Sequence, residues 1–265
     1  TGTQADPYQI KNVYELNLLA TRVNDGTSYE GKYFKVVNDI DYKSEESVSF
    51  TPIGTPATPF SGTFNGQNHI ISNILVDGND TYVGLFGATT GTVREVVLKD
   101  CSFRSSNAYA YIGAIAAYMK EGNELSKVIN CNVMGESTVE CTATSSSNYS
   151  YLGGIAGYTD GAKIEACTTT ASVINGDVAG GIVGMVGNNS ILVLTSDLYL
   201  GSLVDGKSYH AYGYGRVRSA NLTKTNVFYP SDLTKLNDTD VKAYKVEQDA
   251  EPNITGSTTY NINSG

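Results

Sequence analysis

The hydrophobic pattern between residues 30 and 230 consists of short apolar stretches, each broken after a few residues by Gly, Asn or Ser. Stretches of this kind lie at 33–37, 69–76 and 97–99, and none continues into a sustained period of 3.6 residues. Short apolar stretches bounded by turn residues predict strands rather than helices. The 28 Gly and 19 Tyr residues favour the same interpretation. We therefore expect an all-β chain.

One stretch is repeated along the chain at intervals of a few tens of residues. Gly84-Leu85-Phe86-Gly87 returns in related form at 114–117, 154–157 and 181–184, with a looser copy at 212–215. Self-similarity at such a spacing is typical of a solenoid. The central apolar residue of each full copy is expected to fill a common core, and these residues are Leu85, Ile115, Ile155 and Ile182.

Each copy is followed by two apolar residues three positions apart. The first members of these pairs are Val93, Val128, Ile164, Ile191 and Val217, which are 35, 36, 27 and 26 residues apart. A unit of about 27 residues with loops of unequal length predicts one coil of a parallel β-helix, in which coils stack about 4.8 Å apart. The second members are expected to form an inward-facing ladder of Val96, Cys131, Cys167, Leu194 and Ala220. At such an apolar position, cysteine acts as a small core residue, and we expect no disulfide.

A helix is predicted only near the N terminus. Asn12 is a residue type that favours an N-cap, and the turn residues at 24–26 would end the helix. The apolar residues near helical spacing between them are Tyr14, Leu16, Leu18, Leu19 and Val23. We expect this helix to cover the open edge of the first coil. The predicted organisation is a cap at 1–30, a parallel β-helix at 31–229, and a C-terminal exit or capping segment at 230–265 that is a further strand or the start of a linker.

Composition excludes several partners. The net charge is -9 and no block of Lys and Arg occurs, so nucleic acid is not an expected partner. No apolar run approaches the roughly 20 residues that a membrane span needs. The chain opens at Thr1 without the features of a secretory leader, which is expected to be already absent. The polar but weakly charged composition is common among extracellular β proteins.

Candidate catalytic and metal-ligating groups do not assemble into a motif. A zinc peptidase needs two histidines four residues apart on a helix, whereas His69 and His210 each stand alone in a β context. No cofactor or metal is expected. A polysaccharide lyase would need an acidic calcium cluster and a basic residue that abstracts a proton. The carboxylates and bases weighed for that role are Asp39, Asp41, Asp77, Asp80, Lys99, Arg94 and Arg104, and the carboxylates are interpreted as solvated turn residues.

Tyrosine is the remaining aromatic signal. Several tyrosines stand just before the glycine-rich strands, namely Tyr82, Tyr109, Tyr111, Tyr149 and Tyr151. On an outer face they could stack on sugar rings or anchor a protein partner. The alternative is that they pack over the corner of each coil as part of the scaffold. The absence of Trp weakens a dedicated carbohydrate site.

The repeats resemble a known family. Gly84-Leu85-Phe86-Gly87 matches the GLUG motif literally, and 151–157 followed by 164–167 resembles the fuller repeat of that family. The segments 6–10, 31–34, 39–41 and 60–66 look like the leader of such repeats in secreted and surface proteins of gut Bacteroidota and in bacterial immunoglobulin-A-cleaving metallopeptidases. The resemblance implies a right-handed parallel β-helix and a secreted or cell-surface, outer-membrane-associated location. The second copy departs from the motif, with Ala114 and Ala117 in place of both glycines.

These observations predict a non-catalytic, adhesin-like protein that binds a glycan or a host or matrix protein through its loops and outer faces. Two alternatives stay open. One is a polysaccharide lyase or glycoside hydrolase built on the same scaffold, and the other is a purely structural surface stalk. The polar loops at 102–108 and 137–148 are where recognition would be expected, because a solenoid varies its loops and keeps its coils.

Overall fold

The apolar stretches form strands that wind into a parallel β-helix with one N-terminal α-helix. The computed structural model describes residues 1–44, 48–144, 149–188, 190–201, 203–211, 214–218, 221–230, 242–248 and 254–261. Within these residues the chain forms helix α1 (Val13–Asn24), a 3₁₀ turn (Tyr42–Ser44) and 30 strands.

In chain order, strands β1 to β10 are Tyr8–Ile10, Tyr33–Val36, Ile40–Asp41, Thr63–Asn65, Ile70–Ser72, Leu75–Gly78, Tyr82–Val83, Phe86–Thr89, Thr92–Arg94 and Val97–Lys99. Strands β11 to β20 are Ser102–Ser105, Tyr111–Gly113, Ala116–Met119, Ser126–Ile129, Asn132–Met134, Thr138–Cys141, Tyr151–Gly153, Ala156–Thr159, Ala162–Glu165 and Thr168–Thr169. Strands β21 to β30 are Ser172–Gly180, Val183–Val186, Ile191–Thr195, Leu198–Tyr199, Val204–Ala211, Tyr214–Val217, Asn221–Thr225, Phe228–Pro230, Lys242–Gln248 and Ile254–Asn261.

The strands stack into four sheets. Sheet A has the order β1-β2-β4-β9-β14-β19-β23-β27, and sheet B has the order β3-β5-β10-β15-β20-β24-β28-β29-β30. Sheet C has the order β26-β22-β18-β13-β8, and sheet D has the order β6-β11-β16-β21-β17-β12-β7, with β25 paired to β21. Pairing is parallel except where β28, β29 and β30 run antiparallel. From β4 onwards each complete coil therefore supplies strands to all four sheets, as a parallel β-helix requires.

The strand register corrects the predicted coil length at the C-terminal end. Ile164 pairs with Leu194, and Leu194 pairs with Lys224, so both of these coils span 30 residues rather than 27 and 26. The placement of Leu194 beside Cys167 was therefore wrong by three residues. The apolar spacing misled the alignment because the true counterpart of Cys167 is a polar residue, Asp197. Ala220 lies outside the described residues.

The observed corner ladder contains a buried carboxyl group. Its members each stand one residue before a strand of sheet B, and they are Val96, Cys131, Cys167, Asp197 and Val227. All five are at most 2% exposed. The backbone N–H of Cys131 points to the Sγ of Cys167 at 3.5 Å, and the N–H of Cys167 donates to Asp197 Oδ1 at 2.9 Å. The ladder thus fills the core and also accepts corner N–H groups that would otherwise be buried without a partner.

Helix α1 packs at the N-terminal end of the coils. The side chain of Asn12 accepts a hydrogen bond from the N–H of Glu15 at 3.0 Å, which confirms Asn12 as the N-cap. The helix buries Val13, Leu16, Leu19, Ala20 and Val23. Tyr14 and Leu18, which were expected on the apolar side, are instead 56% and 52% exposed. Strand β1, inside the predicted cap, already pairs with β2, so sheet A begins before residue 31.

The glycine motif is a sharp bend between sheets D and C. Tyr82 pairs with Tyr111 before the bend, and Phe86 pairs with Ala116 after it, so the offset grows from 29 to 30 residues. The second coil therefore has one extra residue in the bend. Gly113, and not Ala114, is therefore the residue in register with Gly84. The second coil thus has a glycine at the first position of the motif.

The glycines let the outer faces of two strands meet across this bend. A Cβ added to Gly113 would lie 2.5 Å from the backbone N of Gly157, and one added to Gly157 would lie 2.7 Å from the backbone N of Ile112. Neither position has room for a side chain. The apolar residues at the bend itself, Leu85 and Ile115, have no exposed surface. Ile155 and Ile182 are buried in the same way, so all four point into the core.

Candidate functional site

Tyrosines line both sides of the glycine bend on three consecutive coils. Tyr82, Tyr111 and Tyr151 pair in register along sheet D. Tyr118 and Tyr158 pair in register along sheet C, beyond the bend. Because the outer faces of the two sheets approach each other at the glycines, the two columns converge. We call these five residues the tyrosine cluster.

The rings of the tyrosine cluster contact one another. Tyr111 lies at the centre, with its ring centroid 4.9 Å from that of Tyr158 in a stacked arrangement and 5.2 Å from those of Tyr82 and Tyr151. Tyr118 and Tyr158 meet edge to face at 5.4 Å. All five side chains are half-buried. Mutual packing of this kind fixes the rings and leaves part of each one at the surface.

A carboxylate organises the hydroxyl groups. Tyr118 Oη donates to Asp160 Oδ2, and the same carboxylate acts on the pKa of Tyr158. Burial raises the pKa of Tyr118, with the neighbouring Asp160 adding to the shift, and the pKa of Tyr158 is raised for the same reasons. Burial also raises the pKa of Tyr111 to about 12. The phenols therefore stay protonated near neutral pH and act as hydrogen-bonding groups, not as bases.

A second tyrosine feature is fully at the surface. Tyr109 and Tyr149 stack at 5.7 Å with 17° between their planes, and they are 58% and 53% exposed. Each stands two residues before a member of the tyrosine cluster, on successive coils. We call them the exposed tyrosine pair, and the cluster and the pair together the tyrosine face. The N–H of Tyr109 donates to Asn107 Oδ1 at 2.9 Å, and Asn107 Nδ2 donates to Thr81 Oγ1 at 3.1 Å, which ties the loop to the preceding coil.

Five residues of the tyrosine face are predicted from the sequence, and Tyr118 and Tyr158 are the two that are not. Tyr118 and Tyr158 stand directly after the last residue of the glycine motif, at Ala117 and Gly157, so their equivalence was visible in the repeat. The two columns end together, because Tyr151 pairs with Val178 and Tyr158 pairs with Met185 on the following coil. The tyrosine face therefore covers three coils.

The carboxylates weighed for lyase chemistry have structural partners. Asp39 accepts from the N–H of Ile70, which lowers the pKa of its carboxyl group, and lies 3.2 Å from His69 Nδ1. Asp41 accepts from Asn73 Nδ2 at 2.7 Å and from the N–H of Lys43, and these bonds lower its pKa. Both carboxylates thus brace turns between coils.

Arg104 bridges two carboxylates that lie on the coils before and after its own. Its guanidinium lies 3.1 Å from Asp77 Oδ2 and 2.9 Å from Glu140 Oε2, within one column of sheet D. Asp80, by contrast, accepts through its backbone carbonyl from Ser105 Oγ. Lys99 and Arg94 lie on β10 and β9, in sheets B and A, and so not beside Asp77 in sheet D. Lys99 stands in the same column of sheet B as Asp41, two strands further on, with Ser72 between them. Arg104 is paired, and it serves to link coils.

Histidines and cysteines do not assemble into a centre within the described part of the chain. His210 Nδ1 lies 3.1 Å from the carbonyl oxygen of Gly206, far along the chain from His69. The four cysteines are buried and form no disulfide. In the described ranges no group of three or more His, Cys, Asp and Glu residues is placed to hold a metal ion.

The fold and the tyrosine face define a solenoid of stacked β coils with an aromatic outer surface. No family model matches the chain. The crystal structure of a "putative immunoglobulin A1 protease" from Bacteroides ovatus has the same fold, with a TM-score of 0.62 and 19% identity over 97% of this chain and 83% of that one. At this identity the likeness concerns the fold alone.

Two relatives share part of the sequence. A "putative Gly-rich membrane protein" of Evansella cellulosilytica is 30% identical over 138 residues, which are 50% of this chain and 15% of the relative. Halomucin of Haloquadratum walsbyi is 26% identical over 154 residues, which are 52% of this chain and 2% of the relative. The chain thus spans a small part of the length of both relatives. Within its described residues, no helix is long and apolar enough to cross a bilayer.

Proposed function

We propose that this chain is a non-catalytic, GLUG-type repeat region of a secreted or cell-surface protein and binds a glycan through its tyrosine face. The observation that carries the proposal is the placement of seven tyrosines in register on three consecutive coils. Aromatic rings present an apolar surface for the C–H groups of a sugar, and their hydroxyls provide hydrogen bonds.

The geometry of the tyrosine face supports binding better than turnover. A glycosidase needs two carboxyl groups that flank the scissile bond, and a lyase needs a base near its proton. The tyrosine cluster offers one carboxylate, Asp160, which already accepts a hydrogen bond from Tyr118. The raised pKa values of Tyr118 and Tyr158 keep these phenols from serving as bases near neutral pH.

The comparisons support a surface location. One relative is named a "putative Gly-rich membrane protein" and another halomucin, and the solved structure with the same fold is named a "putative immunoglobulin A1 protease". A repeated scaffold with a variable outer surface suits an adhesin-like role, in which the partner is a glycan or a protein carrying one.

The test is a binding screen with the whole chain. Immobilised glycans and host matrix proteins are probed with the wild-type protein and with a Tyr109→Ala/Tyr149→Ala variant. Because the exposed tyrosine pair lies on the surface, this variant should fold normally, and unfolding in urea checks that it does. We expect glycan binding that the variant weakens at least tenfold, about 1.4 kcal/mol.

Two other outcomes contradict the proposal. Binding confined to proteins that carry no glycan would favour a protein partner on the same face. Cleavage of any offered polysaccharide, measured by new reducing ends or by absorbance of unsaturated products, would favour an enzyme. A Tyr14→Ala variant is the matched control, because Tyr14 is equally exposed but lies on α1.

A further inference from the structure

The tyrosine face has a periodicity that depends on the coils. Its columns repeat once per coil: Tyr109 stacks on Tyr149, Tyr82 precedes Tyr111 and Tyr151, and Tyr118 precedes Tyr158. Neighbouring strands in a sheet are about 4.8 Å apart, so equivalent rings recur at that interval along the helix axis. This interval is close to the length of one sugar unit in an extended glycan.

We propose that the tyrosine face binds a linear, uncharged glycan lengthwise, with its chain parallel to the helix axis and one sugar unit opposite each of three coils. This rests on the proposed function, because it specifies the ligand and its orientation at the same face. A ligand lying across the coils would contact a single rung of each column, and the register of the columns would then have no bearing on affinity.

The polar groups of the tyrosine face favour hydroxyl-rich ligands. Tyr118 donates its hydroxyl proton to Asp160, so the oxygen lone pairs of this phenol remain available as acceptors. The carboxylate of Asp160 has further acceptor capacity of its own. Sugar hydroxyls supply the matching donors.

The charge of the face disfavours acidic glycans. Asp160 lies within the tyrosine cluster, and the chain as a whole carries a net charge of -9. In the column of Tyr158 and Met185, Arg216 lies two coils further along, whereas Arg218 lies close enough to Tyr111 to lower its pKa against the larger effect of burial. A uronic acid bound over the three tyrosine coils would face the carboxylate of Asp160 and the overall charge of -9, and Arg218 is the cation that would offset part of this repulsion.

The experiment measures affinity against chain length. The probes are neutral oligosaccharides of one to six units from the cello-, xylo-, manno- and malto- series, and acidic oligogalacturonides of the same lengths. Titration calorimetry with the whole chain should find at least one neutral series whose Kd falls about tenfold per added unit up to the third, and then levels off. Oligogalacturonides should bind at least tenfold more weakly.

Variants connect the length dependence to the coils. Tyr149→Ala removes the ring of the third coil from the exposed tyrosine pair, so the gain from the third sugar should disappear while the two-unit probe is affected less than threefold. Tyr14→Ala on α1 should change neither value. Stability in urea, measured for both variants, identifies any loss that comes from unfolding.

The possible failures are distinguishable. If no oligosaccharide binds and the glycan screen is also empty, the proposed function itself is overturned. If glycans bind but a single sugar binds as tightly as a trimer, or Tyr149→Ala weakens all lengths equally, lengthwise binding is overturned and the proposed function stands. Equal or tighter binding of oligogalacturonides overturns the assignment of an uncharged ligand.

Discussion

Asp197 allows a quantitative test of how the corner ladder works. Its side chain has no exposed surface, and its two oxygens accept the N–H groups of Cys167 at 2.9 Å and Thr195 at 3.0 Å. Burial raises the pKa of this carboxyl group to about 7, with nearby Glu165 adding to the rise, although the two N–H bonds oppose it. Desolvation therefore outweighs the hydrogen bonds.

The sign of the pH dependence follows from this shift. In the unfolded chain Asp197 titrates near its ordinary pKa of about 3.9, so between pH 4 and 7 the unfolded state has lost a proton that the folded state retains. The contribution of Asp197 to the free energy of unfolding consequently falls as pH rises through this window and is constant above it. A shift of about three units corresponds to about 4 kcal/mol.

The perturbation is Asp197→Asn, which keeps the shape and cannot ionise. Its Oδ1 still accepts from the N–H of Cys167, whereas its amide group cannot accept from Thr195, which costs about 1–3 kcal/mol at every pH. Urea unfolding, followed by circular dichroism at pH 4.5, 6 and 8, gives the free energy of unfolding for both proteins. Relative to the wild type, the variant should gain about 3 to 4 kcal/mol between pH 4.5 and 8.

Other titrating groups cancel in this difference because both proteins contain them. Asp197→Val separates charge from hydrogen bonding, since it leaves the N–H groups of Cys167 and Thr195 without acceptors and should cost about 2–6 kcal/mol at low pH. If the difference between the wild type and Asp197→Asn stays within about 0.5 kcal/mol from pH 4.5 to 8, the carboxyl group titrates normally and the reasoning is refuted.

Three further predictions concern the scaffold. In urea melts, Gly113→Ala should lower the free energy of unfolding by about 1–3 kcal/mol or more, because the added Cβ would lie 2.5 Å from a backbone N. Gly78→Ala is the control and should be close to neutral, because the nearest atom to its added Cβ is 3.8 Å away. Ala166→Gly should stabilise the folded protein by about 0.5–1 kcal/mol, because Ala166 has a φ of 54°, in the left-handed region that favours glycine. Ala162→Gly should destabilise it, because Ala162 has no positive φ. A thiol reagent at pH 8 should label none of the four buried cysteines in the native protein and all four in urea.

The sequence was sufficient for the architecture because a repeat signals a solenoid whatever its details. The copies of Gly84-Leu85-Phe86-Gly87 predicted stacked parallel coils, and Asn12 predicted the start of α1. The register was harder to predict, since one apolar residue resembles another. Leu194 matched the hydrophobic pattern better than Asp197 did, yet the buried position belongs to Asp197 because two corner N–H groups need an acceptor there.

The candidate site was only partly predictable for a related reason. Tyr111 and Tyr151 stand before the bend and Tyr118 and Tyr158 after it, and the sequence pattern does not state that the bend folds the outer faces together. The close approach of the two strands becomes evident only from the structure, where a Cβ added to the glycines would meet backbone atoms of the facing strand. The binding partner stays a prediction, because a repeat encodes the scaffold and not its ligand.

The glycine motif and the tyrosine face are consequently one feature. Gly113 and Gly157 bring the strands on either side of the bend close enough for Tyr111 to stack on Tyr158 at 4.9 Å. A larger residue at either glycine would separate these strands and the two tyrosine columns with them. Substitutions in the motif should therefore weaken ligand binding and lower the stability of the fold together. Tyr109 and Tyr149 lie at the surface, so substitutions there should change ligand binding without disturbing the coils.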